Sequence, residues 1–250
     1  MPDLQTLVKK LFLPGTISTF TGAGGKSTAM RAVAGILGRA GIRVRMTTTT
    51  RVGMEEFSGY PVSFASNAAE VLQACNGPEL ARLIVAGSLS SEGKYAGLDP
   101  VLLEGLSLDP ECVLLVEGDG SRRKPLKVPT SREPVIPPGS SLVLTLMGAS
   151  GFDEPVDEEH CYNHEAAFAI LPDGAGRFDA ASLAALAAHP AGCRKGVMPG
   201  MGYHVILNQG DIASKRATGS EALRILGETY GIQGSLVSLQ QEVLYETTEQ

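Results

Sequence analysis

The sequence predicts an α/β fold, with a doubly wound, largely parallel sheet and helices on both faces. Segments rich in β-branched and aliphatic residues alternate along the chain with segments of helical spacing, as expected for successive βαβ units. Residues 112–117 are apolar up to Glu117, as in a central parallel strand that is buried on both faces. A glycine-rich stretch with Lys-Ser lies at residues 21–28, between a predicted strand and a predicted helix.

The remaining elements follow from periodicity and from cap and turn residues. Strands are predicted at residues 16–20, 42–46, 80–86, 112–117, 142–147, 203–207 and 235–239. Helices are predicted at residues 30–39, 67–74, 99–106, 180–188 and 213–229. Loops are predicted at residues 53–61, 87–97 and 192–202, and the last residues form a frayed tail. No linker or repeat interrupts the pattern, so residues 1–250 form a single predicted nucleotide-binding domain with an irregular, proline-rich insertion at about residues 120–140.

Composition and charge narrow the classes of function. A formal net charge of -6 and an isoelectric point near 5.3 argue against a nucleic-acid-binding surface. No apolar stretch reaches the length needed to span a bilayer, and the start of the chain lacks the pattern of a signal peptide. The four cysteines are widely spaced, without a Cys-x-x-Cys pair, so we expect reduced thiols and a cytoplasmic location.

Residues 21–28 read Thr-Gly-Ala-Gly-Gly-Lys-Ser-Thr, the pattern of a phosphate-binding loop. The glycines let backbone N–H groups point at phosphates, Lys26 reaches the β- and γ-phosphates, and Ser27 is placed to ligate Mg²⁺. The usual pattern opens with a glycine where this chain has Phe20, so we expect Gly22 to supply the permissive turn. The predicted nucleotide ligands here are Gly22, Ala23, Gly24, Gly25, Lys26, Ser27 and Thr28. The alternative is an ordinary glycine turn between a strand and a helix.

Further candidate metal ligands follow two other predicted strands. In parallel α/β sheets, ligands bind at the carboxyl ends of the strands. Glu117 and Asp119 end the strongest strand and are candidates to hold Mg²⁺, with ATP or GTP as the nucleotide. Thr49 belongs to a run of four threonines after residues 42–46, and its hydroxyl is a candidate for Mg²⁺ or its bound water. A solvated turn and a simple β-propensity for threonine are the alternatives.

A basic segment follows these carboxylates directly. Arg122, Arg123 and Lys127 lie where cations neutralise charge on a transferring phosphoryl group or on an anionic substrate. They are therefore predicted catalytic residues together with Lys26 and Asp119. The alternative is a solvated charged face, which is the commoner role of such runs.

Two later segments carry less specific patterns. Asn208 and Asp211 follow a late strand with the spacing by which many GTPases recognise guanine, although Gln209 replaces the usual lysine. A simple turn is the alternative. His160 and His164 would share one face of a helix, with Cys161 beside them, which makes a transition-metal site conceivable. Here the alternative is a helix start with acidic residues at its N-terminus.

The chain resembles the YqeC family of accessory proteins for selenium-dependent molybdenum hydroxylases. The resemblance rests on the phosphate loop, the threonine run, residues 116–127, and the Glu-Pro-Val-Ile-Pro segment at 133–137. It extends to residues 158–160 and to Asn-Gln-x-Asp at 208–211. It implies a nucleotide-binding protein that assists maturation of a molybdenum hydroxylase. Residues 21–28 also resemble the ATP loop of Mur ligases and folylpolyglutamate synthetases, which likewise lack the first glycine.

Three functions are compatible with these patterns. The leading hypothesis is an NTPase that drives a maturation or cofactor-insertion step for the hydroxylase. The second is a nucleotide-gated chaperone or binding protein, favoured by the lack of an identifiable water-positioning residue. The third is a ligase or phosphotransferase acting on a small cofactor precursor, with residues 87–97 as a lid.

Overall fold

The computed structural model describes residues 3–87, 90 and 93–248. The helices in these residues are α1 (Leu4–Leu11), α2 (Lys26–Arg39), α3 (Ala68–Cys75), α4 (Ala180–Ala188) and α5 (Arg216–Tyr230). The strands are β1 (Ile17–Gly22), β2 (Arg43–Thr48), β3 (Val52–Gly53), β4 (Val62–Phe64), β5 (Ala81–Val85), β6 (Lys94–Tyr95), β7 (Cys112–Glu117), β8 (Leu126–Lys127), β9 (Ser140–Gly148), β10 (Cys161–Tyr162), β11 (Gly202–Asn208), β12 (Gln233–Ser238) and β13 (Val243–Thr247). Short 3₁₀ helices lie at Met54–Phe57, Pro100–Leu103, Ala149–Gly151, His164–Ala169 and Ala213–Lys215.

Nine strands form one sheet in the order β13-β12-β11-β9-β1-β7-β2-β5-β4. Neighbouring strands pair in parallel, except for β12 and β13, which are antiparallel. Strand β1 lies between β7 and β9, and the chain continues from β9 on the side of the sheet opposite to β2, β5 and β4. The crevice beyond the carboxyl end of β1, where the strand order changes direction, is therefore the expected ligand position. The predicted α/β, doubly wound, largely parallel fold is confirmed.

Helices cover both faces of this sheet. The core that contains α1 and α2 includes Val113 and Leu115 of β7, whereas the core around α3 includes Leu114 and Val116 of the same strand. Side chains alternate between the faces of a strand, so these two cores lie on opposite sides. At the other end of the sheet, α4 and α5 pack together over β11 and β12. The apolar residues of β7 thus contribute alternately to the cores on the two faces of the sheet.

Several elements of the structure differ from the prediction. The predicted frayed tail contains β13, whose half-buried residues pair with β12 at the edge of the sheet. The predicted helix at 99–106 is reduced to Pro100–Leu103, which Asp99 caps by accepting a hydrogen bond from the N–H of Val101. Helix α1 was not predicted, although Asp3 caps it and its buried residues follow helical spacing.

Two small sheets lie near the carboxyl ends of the strands. Strands β3 and β6 pair antiparallel, and β8 pairs in parallel with β10. The proline-rich insertion at about 120–140 is therefore not wholly irregular, because it contains β8. Residues 88, 89, 91 and 92 of the polar loop predicted at 87–97 lie outside the described residues.

Candidate functional site

A cleft of about 790 Å³ lies beyond the carboxyl end of β1, within the size range of small-molecule sites. Residues 24–28 of the glycine-rich loop form one wall, and residues 120–125 form another. The other described residues of the lining are Arg31, Thr50, Arg51, Gly53, Glu55, Glu56, Gly93, Lys94, Glu117, Ser150 and Gln209. Within the described part of the chain, seven lysine and arginine side chains and three glutamates line the cleft, so these residues favour an anionic ligand.

The glycine-rich loop adopts a backbone that only glycine accepts easily. Gly22, Gly24 and Gly25 have φ of +84°, +86° and +109°. A Cβ on Gly24 would also lie 2.3 Å from the backbone nitrogen of Gly148, so a side chain cannot fit there. The positive φ of Gly22 supports the expectation that this residue supplies the turn in place of a glycine at Phe20.

Helix α2 begins at Lys26 and directs its N-terminus into the cleft. Its N-cap is Gly25, which makes no side-chain capping bond to the first N–H groups of the helix. Such N–H groups and the helix dipole together favour a phosphate or another anion. Among the predicted loop ligands, residues 24–28 line the cleft, whereas Gly22 and the fully buried Ala23 lie behind them.

Lys26, which the sequence predicts to reach the phosphates, has a buried side chain. Its Nζ donates to the carbonyl oxygen of Gly22 at 2.7 Å and lies 3.2 Å from Oδ1 of Asp119 and 3.7 Å from Oε1 of Glu117. Burial lowers the pKa of Lys26, but the two carboxylates outweigh it, so the pKa is raised overall. Lys26 is therefore a charged ammonium group that reaches the cleft from within the protein.

Asp119 and Lys127 form a buried charge network behind the cleft and are not among the residues that line it. Oδ2 of Asp119 accepts from the N–H of Gly22 at 3.1 Å and lies 3.0 Å from Nζ of Lys127. Lys127 also contacts Oε2 of Glu133 at 2.7 Å. Asp119 thus binds both the backbone of the phosphate loop and Lys26, and Lys127 helps to neutralise the charge of Asp119. The geometry does not place either side chain against a ligand in the cleft.

Glu117 and Glu56 are the carboxylates that face the cleft beside Ser27. Burial raises the pKa of Glu117 to about 7, against the opposing effect of Lys26 and with a smaller contribution from the charge of Glu56. The hydroxyl of Ser27 donates to Oε2 of Glu56, which belongs to the short helix Met54–Phe57. Glu56 was not predicted as a site residue, because it lies in a segment predicted as a loop and meets Ser27 through the tertiary fold.

The threonine run contributes to the cleft at a position different from the predicted one. The hydroxyl of Thr49 donates to the carbonyl oxygen of Glu117 at 3.2 Å, and Thr49 is not among the lining residues. Thr50 and Arg51 line the cleft instead. Thr49 thus connects β2 to the end of β7 and is not positioned as a metal ligand.

The basic turn at residues 121–124 forms a second wall of the cleft. Arg122, Arg123 and Lys124 all line the cleft. The guanidinium carbon of Arg122 lies 5.0 Å from the centroid of the Tyr162 ring, a cation–π contact. Arg123 is exposed and forms a 3.7 Å ion pair with Glu55. The structure therefore brings two of the predicted basic residues, Arg122 and Arg123, to the cleft.

Asn208 and Asp211 have different environments. Nδ2 of Asn208 donates to the carbonyl oxygen of Gly24 at 2.8 Å, and its Oδ1 accepts from the N–H of Leu239 at 3.1 Å. Asn208 thereby braces the phosphate loop from the adjacent strand. Asp211 is exposed and is not among the lining residues, whereas Gln209 is. The structure does not bring Asp211 to the position of a base-recognising carboxylate.

The histidine pair at 160 and 164 does not share a helix face. Cys161 lies in β10, and Asn163 has a φ of +61° that separates this strand from the helix starting at His164. His160 contacts Oδ1 of Asp157 through Nδ1 at 2.8 Å. Among residues 3–87, 90 and 93–248, no group of three or more His, Cys, Asp and Glu side chains is arranged to hold a metal ion.

No helix in the described part of the chain combines the length and apolarity required to cross a membrane. The four cysteines are all buried free thiols.

Comparison with known proteins identifies one family. Residues 18–165, which contain the phosphate loop, the basic turn and the Glu-Pro-Val-Ile-Pro segment, match the family model described as YqeC protein. The chain is also 34% identical over 190 residues to a protein of Escherichia coli (strain K12) that is described as uncharacterized protein YqeC. That alignment covers 74% of this chain and 72% of the relative.

Proposed function

Because the chain belongs to the YqeC family, we propose that it binds a magnesium complex of ATP or GTP in the cleft and assists maturation of a molybdenum hydroxylase. The observation that carries nucleotide binding is the uncapped N-terminus of α2. It follows left-handed Gly24 and Gly25 and places Lys26 and Ser27 in a cation-rich cleft. The role in maturation comes from the family resemblance, and cleavage of the γ-phosphate is the step that would drive it.

The charge network gives Lys26 an alternative partner to phosphate. A bound triphosphate would compete with Asp119 and Glu117 for the ammonium group, which lies within 4 Å of both carboxylates. If Lys26 turned to the phosphates, Asp119 would keep Lys127 at 3.0 Å and its hydrogen bond from Gly22. The protein can therefore release Lys26 without leaving Asp119 as an unpaired buried charge, which would be costly.

The side chains beside the loop fit Mg²⁺. Mg²⁺ prefers oxygen ligands and is commonly held by one or two carboxylates together with substrate phosphates. Ser27, Glu56 and Glu117 present oxygen atoms to the cleft and would hold the ion, which supplies neutralisation of phosphate charge. This set retains Ser27 and Glu117 from the sequence prediction and replaces Asp119 and Thr49 by Glu56.

Titration calorimetry with non-hydrolysable ATP and GTP analogues, with and without Mg²⁺, tests this proposal. We expect Lys26→Met to weaken binding at least tenfold, because charged hydrogen bonds contribute about 1.5–3 kcal/mol each. Lys9→Met is the matched control, since Lys9 is exposed on α1. If wild-type protein binds neither analogue, or if both variants bind as it does, nucleotide binding in this cleft is rejected.

The proposed cellular role has a separate test. Molybdenum hydroxylase activity is measured in cells that lack the protein and are complemented with the wild type, Lys26→Met or Lys9→Met. We expect activity with the wild type and with Lys9→Met, and loss of activity with a folded Lys26→Met protein. Full activity in cells without any complementing copy would reject the role in maturation, whatever the nucleotide affinity.

A further inference from the structure

The turn at residues 121–124 has an unusual backbone for its sequence. Arg122 and Arg123 have φ of +49° and +61°, and the N–H of Lys124 donates to the carbonyl oxygen of Ser121 at 3.0 Å. Positive φ at both central residues is the geometry of a type I′ turn, where Asn-Gly is the preferred pair. Two consecutive arginines in this conformation are strained, and such strain is concentrated at functional sites.

The turn is held in place from behind. The N–H of Gly120 donates to Oε1 of Glu133 at 3.3 Å, and Nζ of Lys127 donates to the carbonyl oxygen of Gly120. Tyr162 lies next to both cations, with its ring centroid 5.0 Å from the guanidinium carbon of Arg122 and 5.4 Å from Nζ of Lys127. These contacts pre-organise the backbone of the turn, which reduces the conformational entropy lost when a ligand binds.

Among the described residues, one acidic side chain pairs with the cations of this turn. The ion pair between Arg123 and Glu55 has a distance of 3.7 Å, and both side chains are mostly exposed, so it stabilises little. Arg122 contacts the face of an aromatic ring, which leaves the edge of its guanidinium group able to donate hydrogen bonds. Under the proposed function, the phosphate loop on another wall of the cleft binds the triphosphate of the nucleotide.

We propose that Arg122, Arg123 and Lys124 form a second anion subsite, which binds the phosphate group of a phosphorylated small-molecule substrate beside the nucleotide. Arginine forks match the oxygens of a phosphate in bidentate geometry, and a third adjacent cation suits a doubly charged group. The inference rests on the proposed function, since it assigns the phosphate loop to the nucleotide. It makes the cleft a two-substrate site, in which a nucleotide and a second phosphorylated molecule are bound side by side.

The test measures binding of inorganic pyrophosphate to protein saturated with a non-hydrolysable nucleotide and Mg²⁺. The main variant is Arg122→Asn with Arg123→Gly, which installs the preferred type I′ pair and removes both guanidinium groups. We expect pyrophosphate affinity to fall at least tenfold, nucleotide affinity to change less than twofold, and the melting temperature to stay equal or rise. A rise would show that the arginines are retained at the expense of stability.

Two further variants complete the design. Arg122→Lys with Arg123→Lys keeps the charge but loses the bidentate forks, so an intermediate loss is expected. Arg132→Asn is the control, because Arg132 is exposed and lies outside the cleft lining. Succinate is titrated at equal ionic strength as a carboxylate probe, and affinity equal to that of pyrophosphate would overturn the assignment to phosphate.

The outcomes separate this inference from the proposed function. Equal losses of nucleotide and pyrophosphate affinity would mean that the arginines serve the nucleotide, and unchanged affinity for both would mean that the turn is not a subsite. Either result overturns the inference while nucleotide binding stands. If wild-type protein binds no nucleotide, pyrophosphate is titrated into the nucleotide-free protein instead. A tenfold loss in the Asn-Gly variant then supports the subsite alone, and no binding to wild type rejects it.

Discussion

Asp119→Asn and Glu117→Gln are expected to have opposite effects on stability and on magnesium-dependent binding. Asp119 is fully buried, with Nζ of Lys26 and of Lys127 at 3.2 and 3.0 Å. Asparagine can still accept the hydrogen bond from Gly22 but cannot neutralise the two ammonium groups. Glu117 lines the cleft and has only the longer 3.7 Å contact with Lys26. The first change therefore removes a structural charge, and the second removes a group that faces the ligand.

The magnitudes follow from burial and from the partners that remain. Removing one partner of a buried ion pair costs about 3–5 kcal/mol. The lower end applies to Asp119→Asn, because Lys26 keeps Glu117 and Lys127 keeps Glu133. At about 2–4 °C per kcal/mol for a chain of this size, the melting temperature should fall by about 6–12 °C. Glu117→Gln should leave it unchanged or raise it above pH 7, because it removes a poorly solvated carboxylate.

Calorimetric melting of the nucleotide-free protein measures the first effect. Titration of a non-hydrolysable triphosphate at several Mg²⁺ concentrations measures the second, and we expect Glu117→Gln to abolish most of the dependence on Mg²⁺. Asp173→Asn is the control for removal of an exposed carboxylate. An Asp119→Asn protein that melts with the wild type but has lost its Mg²⁺ dependence would refute this reasoning and place Asp119 at the metal.

Three other perturbations have defined outcomes. Gly24→Ala should destabilise the fold by about 2–5 kcal/mol in denaturant unfolding, because alanine would need a left-handed backbone and its Cβ would clash with Gly148. Gly120→Ala should change the free energy of unfolding little, because its Cβ would meet no atom within 4 Å. Asn208→Ala should lower the free energy of unfolding by about 2 kcal/mol and weaken nucleotide binding, because two backbone groups lose their hydrogen-bond partner. Asp211→Ala should leave the affinities for ATP and GTP analogues unchanged, because Asp211 is exposed outside the cleft lining. For Glu117, the folded pKa of about 7 lies above its ordinary 4.5, so its contribution to the free energy of unfolding is full below pH 4.5 and is lost as the pH rises to about 7. Denaturation of the metal-free protein across this range should show that decline, and Glu117→Gln should lack it.

A different result would contradict each of these expectations. Equal stability of the two glycine variants would mean that the loop backbone can relax around a methyl group. A selective loss of GTP affinity in Asp211→Ala would restore the guanine-recognition hypothesis. A pH dependence that persists unchanged in Glu117→Gln would assign the titration to another group.

The sequence predicted the central strand β7 because parallel strands buried on both faces have a continuous apolar sequence. It did not predict β13, whose Val-Leu-Tyr-Glu-Thr sequence is only half-buried and pairs at the edge of the sheet. Helix α1 could have been found from Asp3 at its N-cap and from the spacing of Leu4, Leu7, Val8 and Leu11. Its shortness obscured that signal.

The candidate site was predictable where its chemistry is local. Residues 24–27 are adjacent in the chain, and so are Arg122 and Arg123, and both groups line the cleft. The residues that set the protonation and exposure of these side chains come from distant segments of the chain, so no local sequence pattern indicates them. Glu56 reaches Ser27 from 29 residues away, and Lys127 meets Asp119 in a position where the sequence suggested a substrate contact.

The Glu-Pro-Val-Ile-Pro segment at 133–137 supports the cleft by contacting backbone next to the residues that line it. The N–H of Val135 donates to the carbonyl oxygen of Gly118 at 2.8 Å, and a Cβ on Gly118 would lie 2.9 Å from the carbonyl oxygen of Val135. Glu133 holds Lys127, and Lys127 in turn pairs with Asp119. The segment therefore positions both the carboxylate that anchors the phosphate loop and the start of the arginine turn. A motif outside the cleft lining in this way supports residues that belong to two of its walls.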